Sequence, residues 1–246
     1  MTHGSSCLVT KLSHYIDIAA PDRKRLAELE KSERSYGGGV DVRRQGDPNA
    51  DLFVVKEGWL FSYSDLPDGR RQIVTLHHPG DIIGFPDIAL RRSATTLATA
   101  EPAVLCPFPK AALDRIFRES PRLSALLLSI ALRDQVVFID LLRAMGQMTA
   151  FERISYMLLD LAARLRITDA QMTDRFRLPL TQTHIADYLG LTNVYVSKTI
   201  LAMERDGYLR REGGCLHLLQ EAHMAEMTDF QERYQQMDTS WFPKGA

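Results

Sequence analysis

The chain has little of what would announce a partner or a compartment outright. Charge is almost balanced, with 30 Lys and Arg against 31 Asp and Glu and a formal net charge of -1, so no global field draws it to nucleic acid or to an anionic surface. Any such contact must be local. Cysteine is scarce: Cys7, Cys106 and Cys215 stand far apart with no Cys-x-x-Cys pair. That excludes a disulfide framework and a structural zinc and suits a reducing compartment, the cytoplasm. The opening MTHGSSCLVTKLSHYI lacks a basic start followed by a long apolar core, so export is not expected. The most apolar run, LSALLLSIALRDQVVFIDLL, is interrupted by Arg133, Asp134 and Asp140, too many charges for a segment crossing about 30 Å of hydrocarbon. No membrane partner is expected.

What is present is an ordinary globular composition, 45% hydrophobic and 25% charged over 246 residues, enough for two domains. From about Gly39 to Pro109 short β-branched and aromatic segments (LFVV, WLFSYS, QIVTL, AVLCPF) alternate with turn signals, among them Pro67-Asp68-Gly69 and Pro79-Gly80-Asp81. This spacing predicts a small antiparallel barrel or sandwich able to enclose one small ligand. A helix over Leu12 to Ala27 is expected on its outside. Within the shell, GDIIGFPDIALRRSATT (Gly80 to Thr96) pairs glycine turns with two arginines and a small Arg92-Ser93-Ala94 step. The layout suits an anion, yet no carboxylate stands where a sugar attached to that anion would want one.

Ser120-Pro121 is a cap and first-turn pair that opens a long helix to about Met145. Leu123, Leu127, Ile130, Val137, Leu141 and Met145 form one stripe at steps of three and four, and Leu128, Leu132, Ile139 and Leu142 a second apolar face. Two faces need two partners. The barrel covers one, and the same helix of a second subunit is the simplest cover for the other, with the first stripe assigned to the dimer axis. The alternative is burial of both faces inside one chain. Gly146-Gln147 reads as a hinge before a second amphipathic helix carrying Ile154, Leu158, Leu161 and Leu165.

LTQTHIADYLGLTNVYVSKTILAMERDGYLRREGGCLHLL holds the densest pattern. Thr181 can cap a short helix, Gly190 permits a left-handed turn, and Thr192 can cap a second helix to about Arg205. Two short helices around such a turn make a helix-turn-helix. Val196, Thr199, Ile200 and Met203 should pack inward, leaving Asn193, Val194, Ser197 and Lys198 outward, with no acid before Glu204. Tyr208-Leu209, Arg210-Arg211, Gly213-Gly214 and the following LHLL read as a two-stranded wing whose turn carries arginines, suited to a phosphate backbone. Between residues 150 and 220, nine Lys and Arg face eight Asp and Glu, so affinity for DNA must come from charge placement and dimerisation. The candidate DNA-contacting residues are Thr181, Gln182, Thr192, Asn193, Val194, Tyr195, Ser197, Lys198, Arg210 and Arg211.

These features together resemble the CRP/FNR family of bacterial transcription regulators, over about residues 14 to 220. The resemblance implies an α+β chain: a cupin-like antiparallel β-roll over 14–118, a dimerisation helix over 119–147, a winged helix-turn-helix over 148–220 and a helical tail over 221–246. It implies a homodimer on a palindromic operator in double-stranded DNA, base-edge roles for Val194, Ser197 and Lys198 with Asn193 nearby, and contact with RNA polymerase if the protein activates. An acid often stands where Val194 is and an arginine where Lys198 is, so thymine-methyl contact replaces cytosine acceptance and the bidentate guanine fork is lost.

The sensor half departs further. Members that bind cyclic nucleotides carry a Gly-Glu pair for the ribose and an Arg-Ser or Arg-Thr pair for the phosphate; the positions here are Gly84, Phe85, Arg92 and Ser93. Phe85 cannot accept a hydrogen bond and Pro86 removes a donor, so cAMP is not expected, and an altered ligand or none stays open. Lone Cys7 argues against an iron-sulfur cluster, and adjacent His77 and His78 point to opposite faces of a strand, so neither haem nor metal is expected. Cys215 in the wing could serve as a redox switch, though an isolated cysteine between glycine and leucine is more often inert. The rival readings are a cupin-like barrel enzyme, which would need a metal-ligand set on neighbouring strands, and a ligand-gated interaction module without DNA contact. No catalytic residues are assigned.

Overall fold

The computed structural model describes residues 6–169 and 172–244. It divides into two units. Among the described residues the first holds those up to Gly69, Val74–Arg133 and those from Gln236 onward; the second holds Arg70–Ile73 and Asp134–Gln235.

The first unit contains α1 (Cys7–Leu12), α2 (Ala20–Leu29), β1 (Arg34–Tyr36), β2 (Asp41–Arg43), β3 (Asp51–Glu57), β4 (Leu60–Asp65), residues 74–77 of β5 (Arg71–His77), β6 (Ile82–Ile83), β7 (Thr96–Thr99), β8 (Ala103–Pro109), α3 (Ala112–Glu119) and the start of α4 (Pro121–Gln147). The strands make two four-stranded sheets, ordered β1-β8-β3-β6 and β2-β7-β4-β5. Strand alternation explains how β3 and β8 are buried on both faces. Phe53 and Val55 of β3 join Ala103 and Leu105 of β8, Leu60 and Leu97 in one cluster, while Leu52 and Val54 join Cys106 and Phe108 against Leu8, Leu26, Leu113, Leu123 and Leu126 of the helices. Gly58, in the turn before Trp59, has φ +81 and lies so close to β8 that a Cβ there would sit 2.4 Å from the Pro102 carbonyl oxygen. Only glycine fits.

The expected helix over Leu12 to Ala27 is instead two, α1 and α2. Pro21 stands in the first turn of α2, where its missing N–H and fixed φ are tolerated, and a helix running through it would not be. Ser120 caps α4 as expected, its Oγ accepting from Leu123 N at 3.4 Å and donating to Asp22 at 2.6 Å.

The second unit continues α4 and adds α5 (Ala150–Thr168), β9 (Arg175–Arg177), α6 (Gln182–Leu189), α7 (Asn193–Arg205), β10 (Leu209–Glu212), β11 (Cys215–Leu218) and α8 (Glu221–Thr228). Helix α4 runs through Gly146-Gln147; the break falls at Met148-Thr149, where Thr149 and Glu152 form a capping box that starts α5. The wing sheet has three strands, ordered β10-β11-β9, because Arg175–Arg177 pairs antiparallel with Cys215–His217.

Among its described residues the tail is helical only over α8. Asp229 adopts φ 47 and ends the helix, and beyond it Glu232 and Asp238 accept from the backbone N–H groups of Tyr234 and Ser240, local bonds that compete with helix. Tyr234 is buried in the second unit with its hydroxyl donating to Asp160 at 2.6 Å, and Phe242 is buried in the helix-side core of the first.

The two faces of α4 are exchanged relative to expectation. Leu123, Leu127 and Leu141 are buried within the chain and Ile130 packs against the helix-side core, while Val137 and Met145 are half-buried. Leu128, Leu132, Val136, Ile139 and Leu142 stand exposed, the last two at 63%. Both stripes have helical spacing, so periodicity finds them without ranking them. Over Leu123, Leu127 and Ile130 the first is the inner one because β8, α1 and α2 present matching apolar residues to it.

Candidate nucleic-acid interface and sensor site

Three local decisions build the helix pair α6–α7. Thr181 Oγ1 accepts from His184 N at 3.1 Å, and Thr181 N donates back to His184 Nδ1 at 3.3 Å. Histidine thus plays the part that Glu or Gln plays in the usual capping box, and only its neutral form can accept. Burial lowers the His184 pKa and so favours that form. Gly190 then turns the chain with φ 63, its N–H closing on Ala186 O, and Thr192 Oγ1 accepts from Tyr195 N at 3.2 Å to start α7.

Helix α7 sorts its side chains as its sequence predicts. Val196, Ile200 and Met203 are buried; Thr199 is half-buried and satisfied by the Tyr195 carbonyl at 2.8 Å. Asn193, Val194, Tyr195 and Lys198 are exposed and Ser197 is half-buried, while Thr181 is exposed at the cap and Gln182 half-buried in the first turn of α6. Asn193 Nδ2 donates to Thr183 Oγ1 at 3.3 Å, tying the start of α7 to α6. Leu201, 56% exposed, extends the outward face one further turn. It was missed, although it stands seven residues after Val194 and so on the same side. No acidic residue lies in the first turn of α7, where the helix dipole is positive.

The arginines of the wing lie on its strands. Gly213-Gly214 makes the turn. The register aligns Arg210 with His217 and Arg175, and Glu212 with Cys215 and Arg177, so Arg175, Arg177 and Arg210 share one face. Arg211 belongs to the other face with Leu209, Leu216 and Phe176. Its guanidinium meets Glu204 of α7 in a fork, Nε to Oε1 at 2.9 Å and Nη2 to Oε2 at 2.6 Å. The pairing raises the pKa of Arg211 and lowers that of Glu204. Arg211 braces the wing on α7, and Arg175 and Arg177 were not expected because β9 lies some thirty residues before the wing in sequence.

In the first unit the four effector positions have different surroundings. Gly84 is buried, and Phe85 packs against the helix-side core rather than into the space between the sheets. Arg92 is exposed, with Nη1 donating to the Gly46 carbonyl at 2.7 Å. Ser93 is buried, its hydroxyl 3.0 Å from Asp87 Oδ2 and 2.8 Å from the Thr95 carbonyl. Asp87, Arg43 and Asn49, none of them singled out from sequence, are the polar residues that meet here. His77 Nε2 lies 2.9 Å from Ser62 Oγ, and His78 packs beside Trp59. Among the described residues no group of three or more His, Cys, Asp or Glu is placed to hold a metal ion, and no helix is long and apolar enough to cross a membrane.

Comparison with known proteins meets this geometry at both ends. Residues 33–120 match the family model described as "Cyclic nucleotide-binding domain", and residues 152–227 that described as "Crp-like helix-turn-helix domain". The chain is 33% identical over 212 residues to the transcriptional activator protein FnrL of Cereibacter sphaeroides, covering 82% of this chain and 83% of that protein. It is 33% identical over 205 residues to the nitrogen fixation regulation protein FixK of Bradyrhizobium diazoefficiens, covering 82% and 85%. The solved structure of FixK2 from Bradyrhizobium japonicum superposes with a TM-score of 0.70 at 24% identity, over 79% of this chain and 96% of that one.

Proposed function

The chain belongs to the CRP/FNR family of transcription regulators and is a DNA-binding regulator, not an enzyme, and we propose that it reads duplex DNA as a homodimer joined along the exposed face of α4. The observation that carries the DNA reading is the outward face of α7: Asn193, Val194, Tyr195, Ser197, Lys198 and Leu201 stand clear of the core while Val196, Ile200 and Met203 hold the helix from behind.

Placed in a major groove, Val194 and Leu201 offer apolar contact to thymine methyl groups, and Lys198 offers a single charged donor to guanine rather than a fork. Thr181, Gln182 and Thr192 sit at helix starts, where backbone N–H groups and short polar side chains suit phosphates. Arg175, Arg177 and Arg210 outnumber Glu212, which lies 3.6 Å from Arg210, on the wing face offered to the backbone beside the groove, while Arg211 sets the wing's angle through Glu204.

Dimerisation follows from Leu128, Leu132, Val136, Ile139 and Leu142, an apolar stripe along a helix of 27 residues, about 40 Å long. A twofold axis through it would present two α7 helices to half-sites about 34 Å apart, and the operator would be palindromic. The site of action is the cytoplasm, and RNA polymerase is the further partner where the protein activates. The β-roll is a degenerate sensor that takes no cyclic nucleotide, since Phe85 turns into the core and Arg92 is spent on the Gly46 carbonyl.

Selection of bound sequences from random duplexes, with and without cAMP and cGMP, tests the reading. A palindromic consensus independent of either nucleotide is expected. Recovery of no consensus would refute it.

A further inference from the structure

The loop from Gly84 to Thr95 is fastened to the loop from Arg43 to Asp51 at many points. Ser93 N donates to Asp47 O at 3.0 Å, Gly46 N to Ser93 O at 2.9 Å, Asn49 N to Arg91 O at 3.0 Å, and Asn49 Nδ2 to Asp87 O at 2.6 Å. Lys110 Nζ closes the far side on the carbonyls of Ile88 and Leu90 at 3.0 and 2.9 Å. Inside this shell lies the Asp87 carboxylate, its side chain 8% exposed.

Donors of three kinds converge on its Oδ2: the Ser93 hydroxyl at 3.0 Å, the Ala94 backbone N–H at 3.3 Å and the Arg43 guanidinium at 3.6 Å. A guanidinium, a hydroxyl and a backbone N–H aimed at one point are the groups that bind an oxyanion. Arg43 is itself 10% exposed, held by Asn49 Oδ1 at 2.8 Å and the Asp51 carbonyl at 3.0 Å, and its Nε is buried without a hydrogen-bond partner. So the cradle is built, buried and cationic, and its anion comes from the chain. Arg92, the arginine that the sequence brings forward, points away to Gly46.

We propose that Asp87 is a tethered ligand: its carboxylate occupies the oxyanion site formed by Arg43, Ser93 and Ala94, so the wild-type β-roll takes no free anion there and DNA binding does not depend on one. This deepens the degenerate-sensor reading and rests on it. A side chain fixed beside its site has an effective concentration of millimolar or more, so cellular oxyanions at lower concentration do not displace it. With the carboxylate removed, the same donors become a site for a small carboxylate or phosphate. Ala in place of Asp vacates the volume of a formate ion, so formate is the best-fitting probe, acetate next and inorganic phosphate last.

The test uses the full chain in a buffer whose only anion is a bulky sulfonate. Asp87→Ala is expected to melt roughly 10 °C below wild type, the loss that follows when one partner of a buried ion pair is removed from a chain of this length. Tens of millimolar formate should restore at least half of that loss saturably, while wild type at matched ionic strength does not move. Asp87→Ala combined with Arg43→Met should show no restoration. Asp87→Asn, which keeps the shape and gives up the charge, should be destabilised and insensitive to formate, because its amide fills the space. Absence of rescue in Asp87→Ala, equal rescue in the double variant, or an Asp87→Asn protein as stable as wild type each overturns the proposal; the last serves where the alanine variant does not fold. Wild-type binding to its selected duplex is measured in parallel. Failure there removes the regulator reading and leaves the rescue result standing, whereas a response of wild-type DNA binding to formate or phosphate removes the tethered ligand alone.

Discussion

The DNA-facing helix and the sensor loop handle polar groups in opposite ways. On α7 Asn193, Val194, Tyr195 and Lys198 point outward, and the helix is held from behind by Val196, Ile200 and Met203 and at its ends by the Asn193–Thr183 bond and the Glu204–Arg211 fork. In the loop from Gly84 to Thr95 polar groups are satisfied within the chain: Asp87 turns inward to Ser93, Ala94 and Arg43, and the exposed Arg92 bonds the Gly46 carbonyl. An open set of donors is ready for a partner, and a closed set already has one. Residue types alone do not separate the two cases, since an arginine-serine pair is compatible with either.

The contrast breaks most severely if the open side loses its scaffold. Ile139→Glu together with Leu142→Glu places two charges in the exposed stripe of α4 without touching the inner one. The variant should be monomeric by light scattering at micromolar concentration, and operator affinity should fall by about a thousandfold or more, because each half-site then binds alone. A dimer that survives both charges would show that the axis lies elsewhere.

Lys198→Ala acts within the open face. Loss of one base-edge or phosphate contact costs about 1–3 kcal/mol, so affinity for the selected operator should drop roughly tenfold to a hundredfold while the melting temperature stays put. Titration of labelled duplex at fixed salt measures it. An unchanged affinity would move the reading surface off α7.

Much of this was legible in advance, and the reasons are specific. Caps, turns and periodicity are local, so Thr181, Gly190, Thr192 and the split of α7 could be read from a dozen neighbouring residues, as could the strands between Gly39 and Pro109. What depends on partners distant in sequence could not. The two stripes of α4 are equally periodic, and over its first turns β8, α1 and α2 decide which goes inside. The wing's third strand comes from residues 175–177, and Arg211 is held by Glu204, seven residues before it on another element. Asp87 shows the same limit. It sits within the segment that drew attention for lacking an acid, and its role appears only when the fold brings Arg43 to it.

A paired substitution sharpens the closed side. Ser93→Ala removes a donor from a buried carboxylate and should destabilise by about 1–3 kcal/mol, a drop of several degrees in melting temperature. Arg92→Ala removes an exposed guanidinium bonded to one carbonyl and should change stability by less than about 0.5 kcal/mol. Thermal denaturation of the two variants side by side decides it; equal losses would mean that Arg92, not the inner cradle, anchors the loop.

The smallest expected effect lies where open and closed logic meet, at His184. Its Nδ1 accepts from Thr181 N, so the cap requires neutral imidazole, and burial lowers its pKa below the ordinary value near 6.5. A histidine whose pKa is depressed by folding binds fewer protons folded than unfolded. Its contribution is therefore complete above about pH 6.5 and is lost as pH falls from there through the lower folded value. Burial pushes the neighbouring Asp187 carboxyl up, and the negative charge of Asp187 opposes the lowering of the His184 pKa. His184→Gln keeps a side-chain acceptor in the capping box and removes the titration. Between pH 7.5 and 5.5 the wild-type melting temperature should fall about 1–3 °C further than that of the variant, the worth of one cap partner in a chain of this size. Diverging pH profiles would show that the helix pair is set by a neutral histidine, independently of anything that binds to its outer face, and parallel profiles would show that the cap does not depend on the His184 proton.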